Sequence, residues 1–163
     1  MNDAIENLYQ QIGQIVYANQ PEVPWKKGEY WFTGITRYME ERGCYELPDS
    51  SKKYFVTGGK LTEPFVRLRT EMAKLHENGH AWYTATFTLT PDGDFKFDFD
   101  YDHLPAWDII PSPDKWLDEF KHYPRPEIQA HIQDWIDGKI GYDRAEIIVE
   151  RLKELAARWN ARS

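Results

Sequence analysis

His76-Glu77-Asn78-Gly79-His80 fits the H-E-x-x-H pattern. That pattern serves zinc hydrolases because a continuous helix puts both imidazoles one turn apart, with the glutamate beside the metal-bound water. Here Asn78-Gly79 is a helix-stop pair and His80 opens a strand pattern, so the physical requirement is broken. A metal-dependent hydrolase using His76, Glu77 and His80 is kept only as an alternative. A second constellation is Asp98-x-Asp100-x-Asp102, three carboxylates on one strand face with neighbours ~6.5–7 Å apart. Calcium wants about six or more oxygens, usually from a tight loop, which an alternating strand does not supply. Two readings stand level: a solvated face that discourages edge-to-edge association, and an anionic surface for a cationic protein partner. Nearby, Trp107-Asp108 lies in a proline-flanked loop. Trp107 either ties that loop to the core or acts as an aromatic anchor beside the acidic strip. Cys44 has no local histidine and reads as a small buried hydrophobe. Gly58-Gly59-Lys60 lacks the P-loop pattern. No catalytic residue and no cofactor is expected.

The elements that must position these groups centre on residues 80–102. Tyr83, Ala85, Phe87 and Leu89 alternate with Thr84, Thr86 and Thr88; Phe95, Phe97, Phe99 and Tyr101 alternate with Lys96 and the three aspartates. A period of two with an intervening Pro91-Asp92-Gly93 turn predicts an antiparallel hairpin, one face aromatic and one acidic. Residues 3–18 place Ile5, Leu8, Tyr9, Ile12, Ile15 and Val16 at helical spacing. Residues 29–42 read as one strand punctuated by Gly43, with short strands at 44–47 and 53–57 completing a meander. Thr62-Glu63-Pro64 starts a helix with a hydroxyl N-cap, and Phe65, Leu68, Met72 and Leu75 form its buried stripe. Residues 103–113 form a loop. Residues 114–123 form a short helix with Trp116, Leu117 and Phe120 inward, and 126–137 a helix through Ile128, Ile132, Trp135 and Ile136. A last helix at about 142–160 begins at an Asp143–Glu146 capping box. The order argues α+β: an antiparallel sheet covered on one face by helices, with a C-terminal helical extension.

The chain has 163 residues, a length that suits a single domain. One cysteine excludes an intrachain disulfide framework and a multi-cysteine zinc site. No apolar run approaches a membrane span and no leader pattern opens the chain, so a cytoplasmic protein is expected. The net charge is −7, and residues 92–119 alone carry nine acids against two lysines. The whole excess therefore lies in the second hairpin strand and the segment just after it. Direct nucleic-acid binding needs a basic footprint and is disfavoured; a basic protein partner is favoured.

The run Phe65-Val66-Arg67-Leu68-Arg69, Ala81-Trp82-Tyr83-Thr84, Thr86-Phe87-Thr88-Leu89, Asp92-Gly93-Asp94-Phe95-Lys96 and Phe99-Asp100-Tyr101-Asp102 resembles the YezG-type immunity family. Ile5-Glu6-Asn7-Leu8-Tyr9-Gln10-Gln11-Ile12 is similar to that family's opening helix. The likeness spans roughly 3–105 and is most specific over 65–102. It implies a small cytosolic antitoxin that neutralises a cognate toxin, commonly a nuclease domain of a secreted or contact-delivered polymorphic toxin. It divides residues 1–163 into a family-like core, 1–123, and a helical extension, 124–163. On this reading Asp98, Asp100, Asp102, Trp107 and Asp108 form the expected toxin interface. An acidic adaptor for another basic protein is the remaining alternative, and the residues leave monomer or dimer open.

Overall fold

The computed structural model describes residues 2–105 and 107–139. Along the chain lie α1 (Asp3–Ala18), β1 (Lys27–Ile35), β2 (Tyr38–Glu46), β3 (Lys52–Phe55), α2 (Thr62–Leu75), β4 (Thr84–Leu89), β5 (Phe95–Asp100), α3 (Pro113–His122), α4 (Pro126–His131) and α5 (Gln133–Ile136). The strands form one antiparallel sheet in the order β3-β2-β1-β4-β5. This is the α+β architecture the sequence predicts. The expected helix at 142–160 lies outside the described residues. No described helix is long and apolar enough to cross a membrane.

Asn2 starts α1 by accepting the Ala4 N–H on its side chain, 2.8 Å away. The predicted stripe Ile5, Leu8, Ile12 and Val16 is buried. It meets Tyr30, Phe32, Tyr45, Phe87 and Leu89 from the sheet, with Phe65 and Leu68 of α2 beside it. Phe65 stacks on Phe32, centroids 5.0 Å apart and rings 7° from parallel. Aromatic pairs of this kind add about 0.5–1.5 kcal/mol beyond area burial, so Phe65 anchors α2 to β1. The hairpin closes as expected, with Thr90 N–H donating to the Asp94 carbonyl at 2.8 Å and Gly93 at φ 91°.

Several sequence expectations are corrected. Residues 29–42 are not one strand: Ile35 pairs with Tyr38, so the chain reverses at Thr36-Arg37. Gly43 lies inside β2 instead of punctuating it. A Cβ there would sit 2.5 Å from the Phe55 ring and 2.7 Å from Tyr30, so two crossing rings require the glycine. Thr62 does not cap α2, because its hydroxyl donates to Glu41 Oε2 at 2.6 Å and the cap position, Leu61, has no side-chain bond. Leu75 and Leu117 point outward, at 59% and 46% exposure. The expected helix over 126–137 breaks at Ile132 into α4 and α5.

Tyr83 leaves the face of Ala85 and Phe87 and joins a second core. Its backbone still bridges Gly34 and Asp100, but its side chain packs with Ile35, Trp107, Trp116, Phe120 and Trp135. This second cluster sits beside the β1–β2 turn and seats the C-terminal helices there.

Candidate partner-binding face

Helices α1 and α2 cover one face of the sheet, and no described element covers the other. Strand register orders its side chains into rows. One row runs Arg42, Trp31, Thr86, Asp98 from β2 to β5; the next runs Glu40, Thr33, Thr84, Asp100. A third runs Tyr54, Cys44, Glu29, Thr88, Lys96 from β3. Two shallow concavities open on this face and share Thr84. One, about 440 Å³, is lined by Trp31, Thr33, Glu40, Arg42, Tyr54 and Asp108. The other, about 520 Å³, is lined by Thr84, Thr86, Asp98, Asp100, Asp102 and His103.

The three aspartates are not one line of equivalent groups. Asp98 stands on β5 with its side chain 65% exposed and Lys96 Nζ at 3.5 Å. Asp100 ends the strand and closes the turn after it: Oδ1 accepts N–H groups from Asp102 and His103, while Oδ2 lies 2.7 Å from His103 Nδ1. Asp102 lies beyond β5, where its carboxylate accepts from buried Arg125 at 2.8 Å. The loop after Asp102 crosses to the β2 side. There Asp108 pairs with Arg42 at 2.7 Å, and Glu40 accepts the N–H groups of Asp108 and Ile109, each at 2.8 Å. Burial and the Glu40 carboxylate push the Tyr38 hydroxyl up to about 12. Trp107 is only 8% exposed and packs edge-on against Tyr38 and Trp116. It ties the loop to the core and is no surface anchor. The aromatics that do reach this face are Trp31 and Tyr54, which the sequence reading did not single out. The signal for Trp31 was the period of two after Glu29, hidden once 29–42 was read as unbroken; Tyr54 carried none beyond its place in the short strand expected over 53–57.

The H-E-x-x-H match has no helix beneath it. Helix α2 stops at Leu75, His76 is its extended C-cap at ψ 139°, and Gly79 turns at φ 69°. His76 Nδ1 accepts the N–H groups of Asn78 and His80. The two imidazoles stack 5.0 Å apart instead of converging on a point. Among the described residues no group of three or more potential ligands is arranged to hold a metal ion.

A family model described as immunity protein YezG-like matches residues 33–129, more than half of the chain. The chain belongs to the YezG-like immunity protein family. A comparison with curated proteins found no match. The YezG-like segment begins inside β1 and runs into α4, so it lies further along the chain than the span of about 3–105 over which the sequence resemblance was drawn.

Within that YezG-like segment, two buried arginines hold the open face in place. Arg69 of α2 forms a two-pronged pair with Glu119 of α3, at 3.0 and 2.7 Å, and donates its Nε–H to the Trp82 carbonyl. Glu119 also takes the N–H and hydroxyl of Thr36, fixing the β1–β2 turn. Arg125 donates to the Tyr101 carbonyl at 2.7 Å, to Asp102 and to Glu127, and so pins the end of β5. Desolvation pulls the Glu127 carboxyl up, but the hydrogen bond and charge of Arg125 bring it below its ordinary range. Neither arginine stood out in the sequence, because Arg69 lies beside other charges on its helix, Arg125 lies in a proline-flanked break, and each meets a partner or carbonyl elsewhere in the chain.

Proposed function

We propose that this YezG-like protein neutralises a cognate toxin whose toxic domain is a nuclease, acting on RNA or DNA, and that it does so by occlusion without chemistry of its own. The proposed contact is the open sheet face, with Asp98, Asp100, Asp102 and Asp108 facing the toxin and Trp107 supporting the loop from beneath. One observation carries this reading: the entire net charge of −7 falls within residues 92–119, and four of those carboxylates border the uncovered face. A nuclease must present positive charge to phosphates, and an acidic protein surface competes for that same ground. The cell's nucleic acid lies in the cytoplasm, which is where such a protector has to act. Complementary charge speeds encounter, and protection calls for affinity of ~nM or better.

The test is charge reversal on the face without touching the turn-closing Asp100. Asp98→Lys combined with Asp108→Lys is predicted to slow association with the cognate toxin domain, sought in the adjacent reading frame, and to flatten its salt dependence. Unchanged association and unchanged protection of cells would remove the acidic face from the mechanism.

A further inference from the structure

We infer that the row from Trp31 to Asp98, where the two concavities of the open face adjoin, is a docking slot for an arginine side chain of the basic protein partner, its guanidinium stacked on the Trp31 ring and its donors turned to Thr86 and Asp98. This rests on the reading that the open face meets a basic toxin domain, and it names the chemistry of the contact.

Register puts Trp31, Thr86 and Asp98 side by side on β1, β4 and β5, so two strand spacings, ~10 Å, separate the Cα atoms of Trp31 and Asp98. A long side chain with a flat cationic head spans that gap. Thr86 between them offers a hydroxyl oxygen. Both ends of the slot already attract cations of this chain. Lys52 places its Nζ 5.9 Å from the Trp31 ring centroid, reaching over from β3. Asp98 draws Lys96 to 3.5 Å. Each is a loose contact on an exposed side chain, so an incoming cation displaces it at little cost. A guanidinium fits better than an ammonium, because it stacks on an aromatic face and forks toward two acceptors at once. Next along the row, Arg42 is already held by Asp108 at 2.7 Å, which closes the slot on the β2 side. Exposed Tyr54 lines the same concavity as Trp31 and offers a second aromatic surface at that end.

The experiment uses the full chain and two probes. The first is a capped Gly-Arg-Gly peptide, set against the same peptide with neutral citrulline in place of arginine, followed by NMR of the tryptophan indole N–H groups. The Trp31 signal, assigned by its loss in Trp31→Leu, is expected to shift saturably with arginine only. Asp98→Asn, a surface change that leaves the core untouched, is expected to weaken that binding about threefold. An immobile Trp31 signal, or equal response to citrulline, overturns the slot. The second probe is the cognate toxin domain, for which Trp31→Leu is expected to raise Kd about tenfold. Tight binding that is indifferent to both Trp31→Leu and Asp98→Asn overturns the slot and leaves the toxin reading standing. Absence of toxin binding by the unaltered chain sinks the toxin reading instead, and the peptide result alone then decides the slot.

Discussion

Glu119 accepts four hydrogen bonds, two from Arg69 and two from Thr36, with its side chain almost wholly out of water. Removing it leaves a guanidinium buried among Trp82, Tyr83 and Tyr123 without its counter-charge. Breaking a buried pair from one side costs about 3–5 kcal/mol, so Glu119→Ala is predicted to lower the urea unfolding midpoint sharply. The paired change Arg69→Met with Glu119→Leu removes both charges and recovers much of the loss. A double change no better than Glu119→Ala would show that the Thr36 bonds, not the charge, dominate. This network was not legible in the sequence. Arg69 and Glu119 each sit in an amphipathic helix beside other charges, and a charge is recognisable as buried only once its partner fifty residues away is known. The aspartates were legible as a group, yet their separate duties were not. Asp100 closes a turn and Asp102 satisfies Arg125, both set by folding at the end of β5.

Elements with strong local signals came through. The α1 stripe and the Thr90–Asp94 loop are dictated by spacing and turn chemistry alone. The β1–β2 turn carried no such signal: Thr36-Arg37 contains none of the usual turn residues, and Glu119 holds it from outside. With that turn unseen, Gly43 drew the punctuation instead. Gly43→Ala is therefore a clean check on the corrected strand. It forces a methyl between the Phe55 and Tyr30 rings, and overpacking of this kind costs about 1–3 kcal/mol. Thermal unfolding should show the loss. By contrast Gly93→Ala meets no atom within 4 Å, and its penalty arises only from φ at 91°; about 1 kcal/mol is expected there. Equal stability of Gly43→Ala and the unaltered chain would restore Gly43 as a turn.

At the scale of the whole molecule, acid is predicted to loosen the join between α2, the end of β5 and α4. Desolvation first, then the charges of Arg125 and His76, hold the His80 imidazole below its ordinary 6.5. The unfolded chain therefore takes up this proton before the folded one does. The stability linked to His80 is complete above about pH 6.5 and is lost as pH falls through the lowered folded value. Urea midpoints measured from about pH 7.5 down to about pH 5 should decline, and His80→Asn should flatten part of that decline. A slope identical in the two proteins would place the acid sensitivity elsewhere. Net charge and fold class were readable from composition and order, because both sum over many residues. Which face the described helices leave open was not, since it depends on where α3, α4 and α5 settle. They settle beside the β1–β2 turn, through Ile35, Tyr83 and Trp116.

The Thr36–Glu119 bonds also set a schedule for synthesis. Strands β1 and β2 leave the ribosome some eighty residues before the carboxylate that fixes their turn, and chains emerge at about 5–20 residues per second. For several seconds the hairpin that carries Trp31 and Arg42 exists without its external clamp. The open sheet face therefore lacks the contact that holds its β1–β2 turn until α3 has been made, and a chain truncated ahead of Glu119 holds the sheet residues without that carboxylate.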